Sequence, residues 1–208
     1  MESIADADRS QRMSGAEFRA FLAERPGRER WELLRGVPTM LERPTLAHNI
    51  VASNLQHLLL DALENHDQSL LAVQRAGLHL PADDHHLESD VSVIDADYRA
   101  DQYAVERAHL VAEIASDAGG AAASGEGQQS IDLKRRLFRN HEHCRAIALV
   151  REDRMEVALD VRERGSWVSV VLRGADARLS IPSFGLRCFL ADLYERTPLS
   201  RRPFPRRT

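Results

Sequence analysis

Asp90 and Glu113 each stand in a short apolar, β-branched run of strand length, Asp90-Val-Ser-Val-Ile94 and His109-Leu-Val-Ala-Glu-Ile-Ala115. Alternate strand residues share a face, so Asp90 lies with Ser92, and Glu113 with Val111 and Ala115. If the two strands are neighbours, the carboxylates converge at one sheet edge and repel each other unless a cation sits between them. Mg²⁺ suits that place, with oxygen ligands at roughly 2.1 Å and several retained waters. Such an ion activates water and neutralises charge on a phosphodiester. Lys134 is the only lysine in the chain; every other long cation is arginine. A lysine supplies a compact charge with a movable proton, which arginine does not. Beside the ion it would orient the water, assist its deprotonation or hold the phosphate. Together Asp, Glu and Lys would make a metal-dependent nuclease site. Two acidic strand residues taken alone also fit solvated strand ends.

The helix carrying Lys134 is read as starting at Ser130, an N-cap, and running to about His143. Lys134 then falls in the first turns, where the macrodipole favours anions. Leu133 and Leu137 make the apolar stripe, with Lys134, Phe138 and His141 on its border and Arg135, Arg139 and Glu142 pointing away. The plain alternative is a lysine lying over the core edge, whose removal costs within ~0.5 kcal/mol, as for a surface position.

A chain of 208 residues is one medium domain with tails, able to bury a real core. Hydrophobic content of 43%, charged content of 29% and a net charge of -4 are those of a soluble globular protein with no global pull toward nucleic acid. Contact with nucleic acid must come from a local patch. Cys144 and Cys188 are too few for a disulfide framework. The polar, acidic start is unlike a signal peptide, and no apolar run reaches membrane-spanning length. The expected location is the cytoplasm, without membrane contact.

Residues 1–12 read as a loose lead-in, 13–197 as a single domain and 198–208 as a basic flexible tail. Ser14-Gly-Ala-Glu17 is a capping box for a helix over 14–24. Arg30–Leu34 and Val37–Leu41 form a hairpin around Arg35-Gly36, with Pro38 marking an edge strand. Thr45 caps a helix to about His66 that buries Ile50, Val51, Leu55, Leu58, Leu59 and Leu63. A strand from Leu70 to Leu80, bent near Gly77, precedes the Asp90 and Glu113 strands. The Gly-, Ala-, Ser- and Gln-rich interval 117–129 is expected to order only on binding a ligand. After the Lys134 helix come Ala146–Val150, Met155–Val161 and Trp167–Leu172 as strands, and a last helix over 187–195. The outcome is a mixed α/β sheet flanked by helices.

Five segments occur in the order and spacing of a known family: Trp31-Glu-Leu-Leu-Arg-Gly36, His48, Ser89-Asp-Val-Ser-Val-Ile94, Leu110-Val-Ala-Glu-Ile-Ala-Ser116 and Asp132-Leu-Lys134. Together they resemble the Uma-two family of restriction-endonuclease-like proteins over residues 14–195. That resemblance implies a restriction-endonuclease-like α/β fold and a PD-(D/E)xK-type site with its lysine displaced onto the following helix. The place two residues after the second acid holds Ala115. Carried over by position, Asp90 and Glu113 match Mg²⁺ (or Mn²⁺) ligands, Lys134 the catalytic lysine and Glu32 a further acidic member. His48 matches a position without an assigned role. The implied activity is endonucleolytic hydrolysis of DNA, with a homodimer compatible. Ser89 stands where the family has proline, Asp117-Ala-Gly-Gly replaces Pro-Ser-Thr, Asp132 is two residues before the lysine instead of four, and Phe138 stands near the tyrosine position. The alternative is a catalytically inactive relative serving as a nucleic-acid-binding or dimerisation module.

Other candidates are weaker. Asp83-Asp-His-His86 reads as a polar turn, and His141, His143 and Cys144 as a helix end with a buried cysteine because no second ligand pair follows. Ser116 lacks the Gly-x-Ser-x-Gly elbow, and Gly119-Gly120 and Gly125-x-Gly127 do not make a phosphate loop. Arg135, Arg136 and Arg139 form either a phosphate-facing stripe or a solvated face.

Overall fold

Two tight hairpins follow from two Arg-Gly pairs. Arg35 and Gly36 have φ of 55° and 78°, and Arg164 and Gly165 have 50° and 85°. Two consecutive left-handed residues give the two-residue turn whose twist matches that of paired strands. The structure is a computed structural model that describes residues 12–25, 27, 29–80, 85–115 and 126–200.

The Ser14–Glu17 capping box opens α1 (Gly15–Ala23), the Glu17 carboxylate accepting the Ser14 N–H at 2.7 Å. β1 (Trp31–Leu34) and β2 (Val37–Met40) form the first hairpin. Thr45 caps α2 (Leu46–His66), accepting the His48 N–H at 3.0 Å. Its buried face repeats every four residues, Val51, Leu55, Leu59 and Leu63, while Ile50 and Leu58 are only partly covered.

Then come β3 (Leu70–Gln74), β4 (Gly77–Leu80), β5 (His85–Glu88), β6 (Val91–Asp95), β7 (Ala104–Val105) and β8 (Ala108–Ala115). α3 (Glu126–Asn140) carries the chain to β9 (Ala146–Arg151), β10 (Glu156–Glu163) and β11 (Ser166–Arg173). β12 (Arg178–Ile181), a 3₁₀ turn (Pro182–Phe184), β13 (Leu186–Phe189) and the single turn α4 (Leu190–Leu193) complete the described chain.

The central sheet has the order β11-β10-β9-β8-β6-β3. Its pairs are antiparallel except β8 with β9. That parallel pair needs a long crossover, and the segment containing α3 provides it. A second sheet, β2-β1-β5-β4-β7, leaves Pro38 on its edge strand, as expected. α2 and the β12–β13 hairpin cover one face of the central sheet, burying Val91, Val93, Leu110 and Ala112. On the other face α3 and the second sheet enclose Leu78, Leu87, Val111, Phe138 and Ile147.

Several boundaries differ from the sequence reading. The Leu70–Leu80 strand is two strands in two sheets, broken at Arg75 with φ of 56°, two residues before Gly77. Gly77 answers a different need: a Cβ there would lie 2.7 Å from the Tyr103 carbonyl, so the β4–β7 pairing requires glycine. His85–Glu88 is a strand, not a turn, because His85 and Leu87 are buried while His86 stacks on His79 at 4.3 Å. α3 begins at Glu126, a full turn before Ser130; Glu and Gln are good helix formers, and an acid suits the first turn. The helix expected over 187–195 is β13 plus one turn, because Arg178–Ile181 is a strand that pairs with Leu186–Phe189. The 117–125 interval, Asp83 and Asp84, Ser116, residues 1–11 and the 201–208 tail lie outside the described residues.

Candidate active site

The candidate residues meet at the seam between the two sheets. β5 belongs to one sheet and β6 to the other, and only Ser89 and Asp90 separate them. Asp90 is therefore held where both sheets end. Val91 pairs with Ala112 across β6 and β8, so Asp90, one step before, comes level with Glu113, one step after. The Asp90 carboxylate accepts the backbone N–H of Ile114 at 2.8 Å, which ties it to the residue following Glu113. Ser89, at the proline position of the family pattern, is fully buried and its hydroxyl bonds that of Ser92.

Lys134 lies at the centre of α3's buried face, not on its border. It is 5% exposed and stands one turn before fully covered Phe138. Its Nζ lies 2.6 Å from Glu32 Oε1, and 3.0 and 3.1 Å from the two Glu113 oxygens. The Glu88 carbonyl is a further acceptor at 3.1 Å. Four acceptors around three N–H bonds leave no proton directed at solvent. Glu32, 3% exposed on β1, also accepts the Glu88 N–H at 2.9 Å. The expectation of a lysine whose loss is nearly neutral is thus overturned: a tolerant surface position does not hold two carboxylates inside the fold.

Asp90 has its own partners. His48 Nε2 lies 3.0 Å from Oδ1, and the Arg30 guanidinium 4.0 Å from it. Arg30 is bound mainly to Glu88, at 2.7 Å. The Thr45 hydroxyl donates to Glu152 at 2.8 Å, and that carboxylate lies 4.0 Å from His48 Nδ1. One threonine thus caps α2 and anchors an acid facing the same histidine.

The charges do not balance. Burial pushes the Glu113 carboxyl up to about 8; Lys134 draws it down, while Asp90 and Glu32 add to the rise. For Lys134, burial favours the neutral amine, but Glu113 and Glu32 outweigh it and hold the ammonium charged well above its usual range. Burial also raises Asp90, yet the His48 contact and the Ile114 N–H prevail, leaving it below the ordinary carboxylate value. The result is a carboxylate-rich pocket with one fixed ammonium, in which Asp90 is ionised and the Glu113 carboxyl is held well above its usual range.

The sequence singles out His48 by its place in the family pattern but assigns it no role, and it does not mark Glu88 or Glu152 as partners. Thr45 as N-cap placed His48 in the first turn, a usable signal. The Glu88 carbonyl and Glu152 become partners only through tertiary folding. Arg135 and Arg139 form no phosphate stripe, because both bind Asp160, a 1%-exposed carboxylate on β10 that also accepts the Ser169 hydroxyl. Arg136 remains exposed. Cys144 is fully buried, as read, and burial raises its thiol to about 12.

A mixed sheet flanked by helices, with acidic residues at a strand seam and a helix-borne lysine, has the restriction-endonuclease-like fold. Residues 16–191 match the family Uma2, described as "Putative restriction endonuclease", and the chain belongs to that family. Among solved structures it is similar to a putative nuclease of the DUF820 group from Anabaena variabilis ATCC 29413. That likeness has a TM-score of 0.64 at 16% identity over 88% of this chain and 97% of the other, and speaks for the fold alone. Comparison with curated proteins found no match. Among the described residues, no helix is long and apolar enough to cross a membrane.

Proposed function

We propose that this protein is a metal-dependent nuclease that hydrolyses phosphodiester bonds of DNA, with Asp90 and Glu113 as ligands of Mg²⁺ or Mn²⁺. The supporting observation is the lysine. The sole lysine of the chain, remote in sequence from both acids, lies against Glu113 and Glu32 beside Asp90.

The donor set fits a hard divalent ion. Asp90 and Glu113 offer only oxygen, and their side chains retain 11% and 16% exposure, so an edge of each reaches solvent. Each carboxylate oxygen has two lone pairs, so the hydrogen bonds described leave acceptor sites open. Among the described residues no three His, Cys, Asp or Glu side chains are grouped for a metal, so an ion here would have two protein carboxylates and its own waters. Bound there, the ion would supply charge neutralisation and a more acidic water.

The protein residues divide the rest of the work. His48 and the Ile114 N–H fix the Asp90 carboxylate in one orientation. Were Glu113 to serve as a ligand, Glu32 would keep the ammonium of Lys134 in place, and a Lys134 N–H could then donate to a phosphate oxygen.

The inactive-relative reading has its own observation, the full engagement of Lys134 by protein acceptors. A lysine that never releases Glu113 would be structural. Cleavage assays on plasmid, linear DNA and RNA with Mg²⁺, Mn²⁺ and EDTA separate the two. Metal-dependent DNA cleavage lost in Asp90→Asn and Glu113→Gln is expected. No cleavage of any substrate by wild type would support the nucleic-acid-binding or dimerisation module.

A further inference from the structure

β11 ends the central sheet, and its surface is unusual for an edge. It runs eight residues without a bulge, proline or lysine. Val168, Val170 and Val171 are 48%, 44% and 46% exposed. Edges that remain solvated are normally shortened, bent or charged to prevent pairing, and this one has none of those devices within its paired length except the terminal Arg173.

The hydrogen-bond directions can be read off. In β10 the Arg162 N–H donates to Arg145 at 2.8 Å, on the β9 side, while Met155 accepts from Gly174 at 2.9 Å, on the β11 side. Odd-numbered β10 residues therefore bond β11, and their partners are Ser166, Val168, Val170 and Leu172. The N–H and C=O groups of Trp167, Ser169, Val171 and Arg173 point outward.

We propose that this edge pairs antiparallel with β11 of a second copy, making one continuous sheet across a two-fold axis through Val170. A symmetric antiparallel pair must place some residue opposite its own copy, because hydrogen-bonded and non-bonded pairs alternate. Centred on Val170, the register sets Ser169 against Val171 and Trp167 against Arg173. Every outward residue of one strand then meets an outward residue of the other, giving roughly eight backbone bonds. Centring on Ser169 instead sets Arg173 against the turn residue Gly165. On one face Val168, Val170 and Leu172 meet the same three from the copy. On the other, Trp167, whose ring already has the Arg139 and Arg162 guanidiniums over it, comes beside Arg173, which is paired with Glu156 at 2.7 Å. That self-match in a single register is why the occupant is this chain and not an unrelated strand. The inference does not depend on the nuclease reading.

The test uses the full chain carrying Cys188→Ser, so that Cys144, which is buried, is the only native thiol left. Light scattering during size exclusion should give twice the 23.4 kDa chain mass, falling to one on dilution. Val171→Pro, which removes an outward N–H and leaves the β10 ladder intact, should be monomeric and melt as the diluted wild type does. Val170→Cys should form a disulfide-linked dimer on mild oxidation, since opposed residues of a non-bonded pair lie about 4.5 Å apart at Cα, within disulfide range. Val168→Cys, facing Leu172, should not. A monomer at every concentration, a dimer indifferent to Val171→Pro, or equal cross-linking at both cysteine positions would overturn the proposal. Capture of another strand with the chain itself monomeric would do the same.

Discussion

Replacing Lys134 by methionine keeps most of the side-chain volume and removes the ammonium shared by Glu32 and Glu113. At 2.6 and 3.0 Å the two attractions are each about 5–6 kcal/mol with an effective dielectric constant near 20. Several kcal/mol of ammonium dehydration is recovered in the variant, so the net loss should be about 3–5 kcal/mol, the usual cost of leaving a buried charge unpaired. For a chain this long that lowers Tm by roughly 6–20 °C. The loss must also depend on pH. Glu113 is raised from 4.5 to about 8 in the folded protein, so the fold binds its proton more tightly than the unfolded chain does. The stability this contributes is full below 4.5 and declines as pH rises through about 8. Without the lysine Glu113 loses the charge that draws it down, and its protonation relieves the repulsion between the two acids at low pH. The Lys134→Met deficit should therefore be smaller at pH 5 than at pH 8, measured by urea unfolding at both. A pH-independent loss below about 1 kcal/mol, as at a surface site, would refute the buried-cluster account.

The Asp160 cluster should respond in the opposite sense to pH. Burial raises that carboxyl, but Arg135, Arg139 and Ser169 outweigh it and hold it well below 3.8, so its stabilisation is present above that value and is lost as pH falls beneath it. Asp160→Asn should cost about 2–3 kcal/mol near neutral pH and little in strong acid, read by chemical unfolding across that range. His48→Ala should weaken Mg²⁺ binding by about 10–100-fold, because it frees a proposed ligand from its orienting partner; isothermal titration calorimetry would show it, and unchanged affinity would remove His48 from the site. The Cys144 thiol, raised to about 12 by burial, should alkylate at pH 8 no faster than the protein opens, as followed by mass spectrometry in a denaturant series.

What could be read from the sequence was whatever local chemistry decides. The Ser14–Glu17 box, the Thr45 cap and the Arg35-Gly36 turn each depend on neighbours a few positions away, and the structure has all three; of the face read for α2, Val51, Leu55, Leu59 and Leu63 are buried while Ile50 and Leu58 are only partly covered. Alternation gave the faces of the Asp90 and Glu113 strands but left their pairing conditional, and the order of motifs pointed to the fold. Exits between sheets were not. Nothing local marks Arg75 as the residue that turns left-handed, and the burial of His85 depends on a hairpin fifty residues earlier whose Arg35 N–H it accepts at 3.0 Å. Lys134 was singled out by its type but misplaced in depth. Helical spacing cannot tell that Glu32 and Glu113 wait beneath it, and starting the helix at Ser130 put the lysine near an end instead of the middle.

The most direct measurement is Mg²⁺-dependent DNA cleavage by wild type and Asp90→Asn, with metal affinity and melting recorded for both. Asparagine still accepts from the Ile114 N–H and fits the same space, so the fold should persist while a ligand charge is lost. The account predicts cleavage by wild type that EDTA abolishes, and a variant of near-unchanged Tm with both cleavage and metal binding greatly reduced. Metal-dependent cleavage retained by Asp90→Asn would contradict it.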